Sequence, residues 1–216
     1  MEAIADLLSC NDLPEIPPPN PMPLLARWYE AAEQSGKYPD FNAMTLATAS
    51  PDGAPSARIV LCKSIEPDPP AIVFYTNYLS RKGRELDANP RAAAVFHWPH
   101  AGRQVRIEGT VDRVSAEESD AYFRTRPLIS RIGAAASCQG KPIGSRAELV
   151  AAAARVAARA GISGNVPRPE HWGGYRLHIR SIELWSARQG RLHDRISWRR
   201  DPATAPNAWT SERISA

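Results

Sequence analysis

Four short segments of this sequence carry side chains that could do chemistry together. In Tyr75-Thr76-Asn77-Tyr78-Leu79-Ser80-Arg81-Lys82 an apolar strand runs into a turn, and a hydroxyl, a guanidinium and an ammonium gather where a helix should begin. Free backbone N–H groups and the helix dipole favour an anion at such a point, and two cations placed there oppose the dipole unless an anion joins them. Taken singly, the segment also reads as a solvated basic turn. Arg58-Ile59-Val60-Leu61-Cys62-Lys63 is a strand with a cation at each end. Alternation puts Arg58, Val60 and Cys62 on one face and Ile59, Leu61 and Lys63 on the other. For both cations to reach one ligand, the strand must bulge or twist, or the ligand must wrap its edge.

The third segment is Tyr122-Phe123-Arg124-Thr125-Arg126-Pro127-Leu128-Ile129-Ser130. At helical spacing Tyr122 and Arg126 share a face, and Pro127 ends the helix, which can turn Ser130 back toward them. Phenol, guanidinium and hydroxyl would then grip a phosphate; an ordinary helix terminus is the plainer reading. The fourth is Arg191-Leu192-His193-Asp194-Arg195. In a strand, Arg191, His193 and Arg195 would crowd one face, which favours an anionic or electron-rich ligand. His97 and His100 have no Cys, Asp or Glu at ligand spacing, so no metal site is expected. No Ser-His-Asp arrangement or carboxylate pair competes, and the four segments suffice for two phosphorylated ligands.

The elements that must position these groups are mostly short strands. Ala43–Ala49, Ser56–Ser64, Ala71–Thr76, Arg91–Trp98, Gln104–Val114, Tyr175–Trp185, Leu192–Arg199 and Trp209–Ile214 show strand patterns, with turns at Ser50-Pro51-Asp52-Gly53 and Pro99-His100-Ala101-Gly102. A helix is expected over Leu24, Leu25, Trp28, Tyr29 and Ala32, stopping near Gly36. Three more interrupt the strands. One spans Ser80–Ala88, and two open with capping boxes at Ser115 and Ser145; of these, the first ends by Arg126 and the second at Gly161. This order implies a mainly β fold, a barrel with peripheral helices, and excludes a doubly wound α/β sheet. Residues 1–19 read as a proline-rich arm, and 20–216 as one domain.

Composition narrows the partners. The 216 residues are 43% hydrophobic and 23% charged, which suits a globular chain able to bury about 70% of its unfolded surface. Lys and Arg number 27 against 23 Asp and Glu, and the pI is ≈ 9.1. That excess favours a small anionic ligand, and with no arginine-rich tract or aromatic RNA-binding motif it points away from nucleic acid. Cys10, Cys62 and Cys138 are widely spaced and odd in number, as expected in a reducing cytoplasm. No signal peptide or membrane-spanning segment is expected.

Taken in order, the segments resemble the pyridoxine/pyridoxamine 5′-phosphate oxidase family. The resemblance runs from about Asn20 to Ile214 and rests on Arg58 to Lys63, Phe74-Tyr75-Thr76-Asn77, Ser80-Arg81-Lys82, Arg103-Gln104-Val105, Tyr122-Phe123 with Arg126-Pro127 and Ser130, Trp172-Gly173-Gly174-Tyr175-Arg176, and Arg191 to Arg195. It implies an FMN-binding split β-barrel, active as a homodimer with FMN at the subunit interface. FMN would be held by Arg58, Ile59, Val60, Leu61, Cys62, Lys63, Tyr75, Thr76, Arg81, Lys82, Gln104, Gln139, Gly140, Trp185 and Arg195. Substrate would be held by Lys63, Tyr122, Arg126, Ser130, Arg191, Leu192 and His193, with Arg191 and His193 flanking the reacting carbon. The implied reaction passes a hydride from C4′ of pyridoxamine or pyridoxine 5′-phosphate to the flavin, then electrons to oxygen, giving pyridoxal 5′-phosphate and hydrogen peroxide. Gly140 stands where the family usually has Ser. Residues 1–20 lack the family's arginine- and tyrosine-containing arm, and the chain ends without its usual proline. Two alternatives remain: a related FMN oxidase acting on a phenazine precursor, and a non-catalytic flavin or pyridoxal-phosphate carrier.

Overall fold

In the computed structural model the described residues are 13–161, 164–201 and 208–215, so Cys10 and most of the expected arm lie outside them. The first helix, α1 (Met22–Gln34), begins where Asn20 Oδ1 accepts the Met22 N–H at 2.9 Å, and buries Met22, Leu24, Leu25, Trp28 and Ala32. Strand β1 (Ala43–Ala49) alternates cleanly, with Met44, Leu46 and Thr48 facing inward. It pairs with β2 (Pro55–Pro67), which returns as β3 (Pro70–Asn77). Helix α2 (Arg81–Ala88) is capped by Ser80, whose Oγ accepts the Gly83 N–H at 3.3 Å. Next, β4 (Arg91–Trp98) and β5 (Arg103–Arg113) form a hairpin through the expected turn, where Gly102 takes a φ of 59°.

Both serine caps form, although the glutamates do not close the boxes: Glu118 pairs with Arg176, and Glu148 accepts the Gly144 N–H at 3.2 Å. Ser115 opens α3 (Ala116–Thr125) and Ser145 opens α5 (Arg146–Ala160), each Oγ accepting the N–H three residues on, from Glu118 at 3.1 Å and Glu148 at 3.2 Å. Between them stands a helix that the sequence reading omits, α4 (Leu128–Ala136). Pro127 ends α3 as expected, but its fixed φ also opens the next helix. Strand β6 (Trp172–Ser186) is long; a short 3₁₀ turn at Gln189–Arg191 leads to β7 (Asp194–Arg199) and β8 (Thr210–Arg213). The expected strands are all present, with ends moved by at most three residues.

The strands order as β3-β2-β1-β4-β5-β6-β7-β8, and β3 also pairs with β6. That extra pairing closes β1 to β6 into an antiparallel barrel, while β7 and β8 extend its sheet. The fold is the split barrel that the resemblance implies. Leu46, Phe74, Phe96, Val105, Ile107, Leu177 and Leu184 fill the barrel, fully buried. A second, smaller core of Phe123, Ile132, Ala160, Val166 and Trp172 joins the helices α3, α4 and α5 to the start of β6. Truncating Phe123 to alanine would cost about 3–5 kcal/mol and loosen this annex. Residues 13–20 lie along the far edge of the sheet, where Leu13 is buried and Pro18 O accepts the Trp198 indole N–H at 2.8 Å. Among the described residues no helix is long and apolar enough to cross a membrane.

Candidate functional site

A cavity of about 410 Å³ opens where β2, β3, the start of α2 and the annex meet. Ile59, Leu61 and Lys63 line it from β2, as alternation requires, joined by the Val60 backbone position, Tyr75, Thr76, Lys82, Tyr122, Arg126, Ser130 and Gln139. Strand β2 does bulge at Lys63: the register steps from Cys62 opposite Phe74 to Ser64 opposite Val73. The bulge does not unite the two cations. Arg58 stays on the other face, donating to Thr48 Oγ1 at 2.6 Å and Leu46 O at 3.2 Å, with Glu85 3.4 Å away. Cys62 also points away, into the barrel, where burial pushes its thiol up to about 12.

Glu85 explains Arg58 and Arg81 together. Its carboxylate is buried, accepts from Ser56 at 2.6 Å and from Thr48, and pairs with Arg81 Nε at 2.7 Å one helical turn back. Burial alone would raise this carboxyl, but the bonds from Ser56, Thr48 and Arg81 bring it down to about 2. Glu85 is absent from the residues that the sequence reading brings forward, although its spacing of four from Arg81 is a usable signal.

Lys82 is different. It is buried, and its ammonium meets only neutral oxygens: Thr76 Oγ1 at 3.1 Å, Gln139 Oε1 at 3.2 Å and Ser80 Oγ at 3.3 Å. Burial, then the nearby charge of Arg58, lowers it to about 8. A buried cation without a carboxylate, at a helix N-terminus, is arranged for an anionic ligand. The turn carrying Gln139 folds over this point, and Gly140 has a φ of 85°, a conformation that favours glycine. Gly83 allows α2 to press on the preceding turn, since a Cβ there would sit 2.0 Å from Tyr78 O.

The opposite wall is aromatic. Tyr122 stacks on Tyr75 at 3.9 Å between ring centroids, and Tyr75 on Trp172 at 5.5 Å. Burial, then Glu118 and Tyr122, push the Tyr75 phenol up to about 12, so it stays neutral. Arg126 is not on a helix face with Tyr122: α3 stops at Thr125, and Arg126 is its extended C-cap (ψ 145°). From there its guanidinium lies 4.6 Å over the Trp172 ring, with Nη1 buried and lacking any hydrogen-bond partner. Ser130, in the first turn of α4, lines the cavity beside it. Trp172, the platform for Arg126, carries no periodic signal that would mark it.

The remaining expected residues form a separate group. Gln104 opposes Trp185, which opposes Arg195, in one row across β5, β6 and β7. Trp185 lies eleven residues along β6 from Gly174, the partner of Tyr75, on the order of 35 Å of strand. None of Gln104, Trp185, Arg191, Leu192, His193 and Arg195 lines the cavity of this protomer. The expectation that Arg191, His193 and Arg195 share a strand face fails. Arg191 sits in the turn with a φ of 62°, after Gly190 at 65°, and β7 begins only at Asp194. Arg195 is instead bound to Glu183, with Nη2 at 2.9 Å, and to Ser215 O at 3.1 Å. His193 packs on Trp185 at 4.6 Å between centroids, and Leu192 is exposed.

Residues 31–160 match a family model described as pyridoxamine 5′-phosphate oxidase, and residues 172–216 one described as the pyridoxine 5′-phosphate oxidase C-terminal dimerisation region. A protein from Burkholderia orbicola named pyridoxine/pyridoxamine 5′-phosphate oxidase is 52% identical over 197 residues, covering 91% of this chain and 89% of that one. One of the same name from Cupriavidus necator is 50% identical with the same coverage. Among solved structures, PhzG from Burkholderia lata, in complex with tetrahydrophenazine-1-carboxylic acid, superposes with a TM-score of 0.84 at 32% identity, over 93% of this chain and 94% of that one. A pyridoxamine 5′-phosphate oxidase-related, FMN-binding protein from Nostoc punctiforme shares the fold, with a TM-score of 0.71 at 18% identity over 90% and 97% of the two chains.

Proposed function

This chain belongs to the pyridoxamine 5′-phosphate oxidase family, and on that premise we propose that it is an FMN-dependent oxidase converting pyridoxamine and pyridoxine 5′-phosphates to pyridoxal 5′-phosphate, with oxygen as acceptor and hydrogen peroxide as product. The observation that carries this reading is one cavity holding two unneutralised cationic grips, Lys82 at the α2 N-terminus and Arg126 beside Ser130. Two phosphorylated ligands need two such grips.

The residues present fit FMN. Its phosphate would supply the counter-charge that Lys82 lacks, at a helix start whose dipole also favours an anion. Thr76 and Gln139, already bonded to Lys82, would share that phosphate and the polar edge of the ring. Bound there, FMN supplies the two-electron acceptor. The protein supplies orientation. Arg126, Ser130, Tyr122 and Lys63 would hold the substrate's phosphate as a handle that fixes its reacting carbon. The stacked Tyr122, Tyr75 and Trp172 rings form that wall of the cavity.

Arg191 and His193 would act from a second copy of the chain, because their own protomer places them away from the cavity. A homodimer is therefore part of the proposal, supported by the match of residues 172–216 to a dimerisation region. There Arg191 and His193 would flank the reacting carbon, with the His193 Nε2–H and the Arg191 guanidinium orienting the heteroatom bound to that carbon. We place the protein in the cytoplasm, in keeping with the free thiols of Cys62 and Cys138.

A second reading is favoured by one comparison, the similarity to PhzG with its phenazine ligand. An oxidase for such a substrate has no use for the Arg126–Ser130 grip. Adding each substrate anaerobically to the yellow holoprotein decides between them. Bleaching of the flavin band by pyridoxamine 5′-phosphate, followed by peroxide release on admitting air, is the expected result. Bleaching by a reduced phenazine carboxylic acid alone, such as tetrahydrophenazine-1-carboxylic acid, would reverse the assignment, and a protein that takes up no FMN would remove both.

A further inference from the structure

Arg188 lies outside every residue assigned to the site, in the connection between β6 and β7. Its backbone N–H donates to Nδ1 of His193 across 3.1 Å, and its guanidinium grips Asp194 Oδ2 with Nε at 2.8 Å and Nη2 at 2.8 Å. These contacts close a small loop at its base. Inside the loop Gly190 and Arg191 both take left-handed φ, a conformation that a non-glycine residue keeps only when its surroundings impose it. The clasp is anchored from outside. Arg213 Nη1 donates to Asp194 Oδ1 at 3.1 Å, while its Nη2 donates to the Pro14 and Glu15 carbonyls at 2.9 and 3.2 Å. The Arg188 side chain is 12% exposed, so water competes little for its ion pair.

The clasp has a chemical consequence at His193. A ring nitrogen that accepts from an N–H carries no proton of its own, so the neutral imidazole is protonated at Nε2. Trp185 packs against the ring, which fixes the direction of that Nε2–H. Resting on the reading that His193 and Arg191 face the substrate, we propose that Arg188 is the positioning residue of this half of the site. It sets His193 in the Nε2–H tautomer and holds the Gln189–Leu192 loop that displays Arg191.

The test uses full-length holoprotein with ¹⁵N-labelled histidine side chains, His193 being assigned by the signal lost in His193→Asn. The wild-type ring should show an unprotonated Nδ1 and a protonated Nε2. Arg188→Ala should move both nitrogens toward the averaged values of mixed tautomers, and Arg188→Lys, which keeps a cation against Asp194, should recover part of the wild-type pattern. Arg188→Ala keeps the backbone donor but releases the side-chain clasp that aims it, so kcat with pyridoxamine 5′-phosphate should fall about two- to tenfold, up to the worth of the one hydrogen bond that is loosened. KM should change less, because the phosphate grip lies elsewhere. Unchanged nitrogen shifts in Arg188→Ala overturn the proposal. Shifts that move while kcat stays at the wild-type value keep the clasp but overturn the role given to His193. Should Arg188→Ala fail to fold, Asp194→Asn removes the same grip from its other end and is read in the same way.

Discussion

Replacing Arg126 with alanine empties one grip of the cavity and leaves the start of α2 untouched. The wild-type guanidinium is half-buried over Trp172, one of its nitrogens has no hydrogen-bond partner, and burial lowers its pKa from the ordinary arginine value. Its charge is thus partly withdrawn from water, with one donor free for an anion. A hydrogen bond to a charged group contributes about 1.5–3 kcal/mol net. At about 1.4 kcal/mol per tenfold, kcat/KM for pyridoxamine 5′-phosphate should fall about ten- to 150-fold. Stability is pulled both ways. Loss of the stacking on Trp172 costs roughly 0.5–2 kcal/mol, while removing an unmet buried N–H returns about 1–3 kcal/mol, so Tm should move by only a few degrees. Unphosphorylated pyridoxamine never makes the contact, and its poor turnover should hardly change. The assay is peroxide release with both substrates, together with flavin content from the visible spectrum. Equal losses for the two substrates, or loss of FMN, would mean that Arg126 serves the fold or the flavin and that the phosphate-grip argument is wrong.

Lys82→Met should weaken FMN binding to the apoprotein about ten- to 150-fold by fluorescence titration; an unchanged Kd would refute its role. Because the apoprotein's Lys82 sits near about 8, wild-type affinity should also decline as pH rises beyond that value, and the mutant should lack this slope. Glu85 is depressed to about 2, so its contribution to stability is present above its unfolded pKa and is lost as pH falls toward 2. Urea midpoints of wild type and Glu85→Gln should therefore differ at pH 6 and converge in acid, and a constant gap would count against the pairing with Arg58 and Arg81. Gly83→Ala drives a Cβ against Tyr78 O and should destabilise by about 1–3 kcal/mol or more while displacing the FMN grip, as thermal melts and flavin content would report; a wild-type melt would contradict the close approach.

How much of this is legible in the sequence depends on how local the cause is. Strands β1 and β4 are readable to the residue because alternation and flanking turns bound them on both sides. The Ser115 and Ser145 caps are readable because an N-cap serine satisfies a backbone N–H only three residues away. Helix α4 escapes the sequence reading because Pro127 reads as a stop, although it also starts a new helix. The left-handed Arg191 is invisible, since nothing in an arginine announces a positive φ. At the site, the types of side chain are visible, but their grouping is not. Arg58 turning to Glu85 comes from the packing of α2 against β1 and β2, and the distance between the Lys82 and His193 groups from the pairing of β3 with β6, non-local contacts that no short pattern encodes. The family resemblance supplies what periodicity lacks.

The spread of the expected residues along β6 has a genetic consequence. Under the dimeric reading, each assembly carries two sites, and each draws Lys82 and Arg126 from one chain and Arg191 and His193 from the other. At FMN levels too low to load it, a Lys82 variant would be inactive alone, and so would a variant that removes the His193 ring. Coexpressed, they would form mixed dimers in which one site collects both lesions and the other receives none. Two dead alleles would then complement each other, restoring up to half the wild-type activity per mixed dimer.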